Sequence, residues 1–123
     1  MSKTFRFLPN QRIRSASEFS VLFKTGKRLS VGCLALHYLS AERDYSKLGL
    51  VVSKRYCPLA ARRNQIRRMA RERFRLNQHI FDTVDMIVSL RSSANNITHE
   101  ELGECIEKLF SQFIAQSGGF SSH

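Results

Sequence analysis

The sequence predicts a single α+β domain. Three stretches carry apolar residues at helical spacing, three others are short runs rich in β-formers, and no repeat or linker divides the chain. A length of 123 residues with 42% hydrophobic side chains supports one core of ordinary size. Residues 1–123 are therefore read as one domain, with a basic N-terminal segment at 1–14 and a frayed tail at 117–123.

Taken in order, the first helix spans about 16–25. Ser15 and Glu18 have the spacing of a capping box, Phe19 and Phe23 share a face at i, i+4, and Gly26 can end the helix. Residues 29–39 are apolar and β-prone, with Gly32 as a break or bulge. Residues 47–53 read as another strand. The short polar stretch from Ser40 to Ser46 predicts an antiparallel hairpin between these two runs. Pro58 suits a helix entrance, and nothing interrupts helix formers from Leu59 to about His79. Residues 84–90 form a buried strand, and 92–96 a loop. Thr98 and Glu101 form a second capping box, and Leu102, Ile106, Leu109, Phe110 and Phe113 make a helical stripe.

The chain carries a formal charge of +10. Residues 1–28 hold seven basic side chains and one acidic, residues 29–53 two of each, residues 54–75 nine and one, and residues 76–123 two and six. Such segregation predicts a directional field and a polyanionic partner. No apolar run approaches the roughly 20 residues of a membrane span, and no signal-peptide core follows the basic N-terminus. Cys33, Cys57 and Cys105 fit neither a disulfide framework nor a metal pair, so they read as reduced thiols of a cytoplasmic protein.

The helix at 59–80 carries the functional argument. At about 100° per residue, Arg63, Asn64, Arg67, Arg68, Arg71 and Arg75 fall within roughly 140° of arc. Leu59, Ile66, Met69, Ala70, Leu76 and Ile80 lie on the other side, with Arg62 and Arg73 near the apolar edge. A merely solvated face would balance its signs, whereas Glu72 is the single acid here and Arg63, Arg67 and Arg71 repel at i, i+4. Phosphates would neutralise that ridge, and guanidinium binds phosphate oxygens bidentately. Duplex DNA and structured RNA both remain open partners. Phe19, Phe23 and Tyr38 could stack unpaired bases, although a Phe pair at this spacing more often serves a core. Asp82 and Asp85, the glutamates of the last helix, and His37, His79, His99 and His123 show no catalytic or ligand spacing. No catalytic side chain and no protein-bound metal are expected.

Arg63-Asn64-Gln65-Ile66-Arg67-Arg68, preceded by Leu48-Gly49-Leu50-Val51-Val52-Ser53-Lys54-Arg55 and followed by Met69-Ala70-Arg71-Glu72-Arg73-Phe74-Arg75, resembles the protein subunit of bacterial ribonuclease P. Phe7, Arg12, Ile13, Phe19 and Phe23 resemble that family's opening segment. Gln65 stands where the family pattern has an arginine, and the loop Tyr56-Cys57-Pro58-Leu59 lacks the family's usual glycine or basic residues.

The resemblance implies an α-β sandwich in the order αβββαβα, with about four strands, three helices and a left-handed β-α-β crossover. It implies a partner in the catalytic RNA, whose own Mg²⁺ ions cleave the 5′ leader from precursor tRNA. No cofactor held tightly by the protein, no membrane and no obligate protein partner are implied. RNA contacts carry over to Arg12, Lys54, Arg55, Arg63, Asn64, Arg67, Arg68, Arg71 and Arg75. The leader cleft carries over to Phe19, Phe23, Val51 and Ser53, with His37 and Tyr38 both candidates because the facing of their strand is open. A DNA- or other RNA-binding protein without catalytic activity is the alternative.

Overall fold

The computed structural model describes residues 9–80 and 83–117. A 3₁₀ turn (Pro9–Gln11) precedes α1 (Ala16–Thr25), then β1 (Lys27–Val31), β2 (Leu34–Ser40), β3 (Lys47–Val51), α2 (Ala60–Asn77), β4 (Val84–Leu90) and α3 (His99–Ser117). The order is the αβββαβα expected, and the class is α+β. Residues 1–8 and 118–123, most of the predicted basic segment and nearly all of the predicted tail, lie outside the described residues.

Local chemistry accounts for the helix starts. The Ser15 hydroxyl accepts the Glu18 N–H at 3.2 Å while Glu18 accepts the Ser15 N–H at 3.5 Å. Thr98 and Glu101 exchange the same pair of bonds at 3.0 and 2.9 Å. α2 starts differently: Leu59, the last residue of the preceding loop, occupies its cap position without a side-chain bond. The 29–39 run divides at Gly32, whose φ of +58° makes a two-residue turn between β1 and β2.

The sheet order is β1-β2-β4-β3, antiparallel except for the β3–β4 pair. This corrects the predicted 29–39/47–53 hairpin. β4 lies between β2 and β3, and the tight hairpin is β1–β2. The reason is burial: β4 reads Val-Asp-Met-Ile-Val-Ser-Leu, nearly all buried, which suits a central strand covered on both faces and not an edge.

Strand alternation sorts the side chains. Leu34, Leu36 and Tyr38 of β2 share a face with Met86, Val88 and Leu90 of β4 and with Leu48 and Leu50 of β3. That face meets Ile66, Ala70 and Phe74 of α2 and Leu102, Ile106, Leu109, Phe110 and Phe113 of α3 in the main core. The opposite face presents His37, Leu39, Ile87, Gly49 and Val51, and receives α1 in a smaller cluster of Ile13, Leu22, Phe19, Leu39, Val51 and Ile87.

The α2 stripe departs from the reading above. Leu59, Leu76 and Ile80 are exposed, and Phe74 is fully buried. The stripe Ile66-Ala70-Phe74 is an i, i+4, i+8 row centred within about 20° of Arg63. Arg63 therefore borders the core instead of standing at the outer edge of a solvent face.

Candidate nucleic-acid interface

On α2, the basic side chains fall into two groups by what holds them. Arg63 turns back: its Nη1 donates to the carbonyl oxygens of Cys57 and Pro58 at 3.0 and 2.8 Å, so it braces the loop before the helix. Arg75 is held by Glu72, donating from Nε and Nη2 at 3.2 and 2.6 Å. Arg73 lies 3.9 Å from Glu107 of α3. Arg67, Arg68 and Arg71, by contrast, meet no carboxylate among the described residues. Arg67 Nη1 donates to Asn64 Oδ1 at 3.1 Å, which fixes the pair along the helix. Arg62, predicted at the apolar edge, is half-buried there, and its Nε and Nη2 have no hydrogen-bond partner among the described residues.

Arg12 approaches this ridge from outside the helix. It forms a parallel bridge with Leu48 at the free edge of β3, and Ile13 N–H donates to the Leu48 carbonyl at 3.1 Å. Burial, reinforced by the fields of Arg12, Arg67 and Arg68, lowers the Arg71 guanidinium pKa from its ordinary value. Four cations converge, and they repel one another in the isolated protein. An anion with several oxygens would relieve that repulsion.

Lys54 and Arg55 are exposed on the turn after β3, with the Arg55 guanidinium 5.6 Å from the centre of the Tyr56 ring. The turn is well anchored. Tyr56 N–H donates to Ser53 Oγ at 3.3 Å, Cys57 N–H to the Ser53 carbonyl at 3.0 Å, and Ala94 N–H to the Tyr56 carbonyl at 2.9 Å. Ser53 is thus occupied as a turn residue beyond the end of the strand.

The α1 face of the sheet brings together most of the predicted cleft. Phe19 is half-buried over β3, close enough to Gly49 that a methyl group there would lie 2.8 Å from its ring. Val51 packs beside it. Phe23 is 42% exposed and meets His37 edge to face, with ring centres 4.8 Å apart. His37 is half-buried; its Nδ1 has no hydrogen-bond partner among the described residues, and burial together with Arg28 lowers its pKa. A neutral imidazole with an unused nitrogen can donate to or accept from a base edge. Lys47 Nζ bonds Glu18 Oε2 at 3.0 Å and ties α1 to β3 at one end of this surface.

Tyr38 does not belong here. Its ring is 8% exposed and packs edge to face on Phe113 of α3, 4.9 Å between centres, in the main core. Adjacent strand residues point to opposite faces, so His37 on the α1 side places Tyr38 on the other. That alternation was the signal available in the sequence. Gln11, which bonds across the fold at the edge of β3, gave none: it is one polar residue in a basic stretch.

Among the described residues no helix is long and apolar enough to cross a membrane. The Ribonuclease P family profile matches residues 7–114. The ribonuclease P protein component of Coxiella burnetii is 36% identical over 111 residues, spanning 90% of this chain and 92% of that one. The solved RNase P protein of Staphylococcus aureus superposes with a TM-score of 0.75 at 26% identity, covering 84% of this chain and 94% of that chain. The Thermotoga maritima RNase P protein does so with a TM-score of 0.66 at 29% identity, covering 82% and 96%. A basic ridge on α2, an aromatic groove under α1, and matches that span most of both chains lead to one conclusion: this chain belongs to the family of ribonuclease P protein subunits, the protein part of an endoribonuclease that processes tRNA.

Proposed function

We propose that this subunit holds two RNAs at once. Arg12, Arg67, Arg68 and Arg71 grip phosphates of the ribonuclease P RNA, with Asn64, Lys54, Arg55, Arg63 and Arg75 bordering the same surface. Phe19, Phe23, His37 and Val51 receive the unpaired 5′ leader of precursor tRNA, stacking bases at roughly 1–3 kcal/mol each. Hydrolysis belongs to the RNA subunit and its Mg²⁺; the protein holds no cofactor of its own and supplies affinity and orientation. We place this work in the cytoplasm.

The observation that carries the reading is the group of three α2 arginines without carboxylate partners, joined by Arg12. The test is reconstitution with a bacterial ribonuclease P RNA at low Mg²⁺. The wild-type protein restores 5′ maturation. Arg67→Ala binds the RNA less tightly, and its plot of log affinity against log salt loses about 0.7–0.9 in slope for each phosphate contact removed. Phe23→Ala weakens binding of precursor tRNA while leaving mature tRNA unaffected. An unchanged salt slope in Arg67→Ala counts against phosphate contact, and duplex DNA outcompeting the RNA at matched salt would return the chain to the DNA-binding alternative.

A further inference from the structure

Gln11 is 3% exposed, between the exposed Asn10 and Arg12. Its Nε2 donates to the Ser46 carbonyl at 3.1 Å and to Gln78 Oε1 at 2.6 Å. These partners lie 35 and 67 residues away in sequence. Ser46 is itself buried, its hydroxyl accepting the Val84 N–H at 3.0 Å, so it fixes the approach to β3 against the start of β4. Gln78 caps the C-terminal end of α2. One carboxamide therefore ties the N-terminal segment, the β2–β3 connection and the last turn of α2 together.

The next residue is Arg12, whose charge reaches Arg71 seven residues before Gln78 on α2. Arg12, Arg67 and Arg68 all add to the positive field at Arg71. The segment that carries Arg12 is fixed, bridged to Leu48 and secured one residue earlier by a buried amide. A cation on a fixed segment is preorganised for an anion, because its ordering cost is met before the anion arrives.

We propose that Gln11 is a positioning residue: its clasp on Ser46 and Gln78 sets Arg12 beside the α2 arginines as a further phosphate contact for the RNA. This rests on the RNA-binding reading above.

The experiment measures RNA affinity against salt for wild type, Gln11→Ala, Arg12→Ala, the double variant and Arg67→Ala, with melting temperature recorded for each. If Gln11 acts through Arg12, Gln11→Ala and Arg12→Ala each lose about 0.9 in salt slope and about eightfold in affinity at 0.1 M salt, and the double variant loses no more than either. A purely structural Gln11 would lower the melting temperature, leave the slope unchanged and add its effect to that of Arg12→Ala; this result overturns the proposal. Should Gln11→Ala not fold, the contact is read from its other side. Gln78→Ala removes the Oε1 acceptor and must lose the slope; an unchanged slope overturns the proposal. A reduced slope in Arg67→Ala with a wild-type slope in Gln11→Ala removes this inference alone. An unchanged slope in Arg67→Ala removes the RNA reading and this inference with it.

Discussion

Gly49→Ala should misplace the aromatic wall of the groove. A Cβ at Gly49 would sit 2.8 Å from Phe19 Cε1, 3.0 Å from Phe19 Cζ and 3.2 Å from Ile13 Cβ. Carbon atoms pack best at about 3.5–4.0 Å, so the ring must retreat by about 0.7 Å or more. Overpacking of this kind costs about 1–3 kcal/mol, offset in part by the up to 1 kcal/mol or so that alanine gains over glycine in a strand. The net expectation is a loss of about 1–2 kcal/mol, read as a lower urea midpoint at constant slope. A double-mutant cycle isolates the cause. In a Phe19→Ala background the two nearest contacts are gone, and the added methyl should cost less than about 1 kcal/mol, giving a coupling of about 1 kcal/mol or more between the two sites. Gly49→Ala as stable as wild type, or equally costly with and without Phe19, would refute this account of the α1 face.

Three further outcomes follow from other parts of the molecule. Phe74→Ala removes a fully buried ring from the α2–sheet contact and should cost about 3–5 kcal/mol by urea unfolding; a loss under about 1 kcal/mol would show that the stripe is misassigned. The pKa of His37 is lower folded than its ordinary 6.5, so the unfolded chain binds its proton first and this residue contributes stability above about pH 6.5 that is lost as pH falls toward the folded value. His37→Phe should therefore show a smaller drop in melting temperature between pH 7.5 and 5.5 than wild type, and equal drops would contradict the assignment. Glu72→Gln takes away the acid that holds Arg75 and should raise RNA affinity roughly two- to fivefold at low salt, with the gain vanishing near 1 M salt as ions screen the charge. A gain that persists at high salt would mean that the effect is not electrostatic.

What could be read in the sequence was what neighbours in the chain decide. Both capping boxes, the α3 stripe and the crowding of arginines on α2 depend on residues three or four apart, and all are present in the fold. Strand pairing depends on distant partners. The polar stretch at Ser40–Ser46 has the length of a hairpin loop, yet β3 finds its partner in β4, beyond α2. Phe74 has a helical angle among the arginines, so the charge pattern leaves it off the apolar side; the buried row Ile66-Ala70-Phe74 lies rotated toward Arg63 from the expected stripe. The ridge was legible as composition but not as chemistry. Arg63 and Arg75 are committed to carbonyl and carboxylate partners, and only the fold brings Arg12 to the remaining three.

The middle position of β4 also bears on how the chain is made. While the first 83 residues emerge from a ribosome, they can form the β1–β2 ribbon and the α2 helix but not the sheet, because the strand that joins β2 to β3 has not yet been synthesised. During that interval the Ile66-Ala70-Phe74 row has no complete floor to cover it, and the nascent protein exposes its stickiest apolar surface beside its most basic one. Arrival of residues 84–90 closes both halves together, so assembly should be all-or-none and gated by a segment in the last third of the polypeptide.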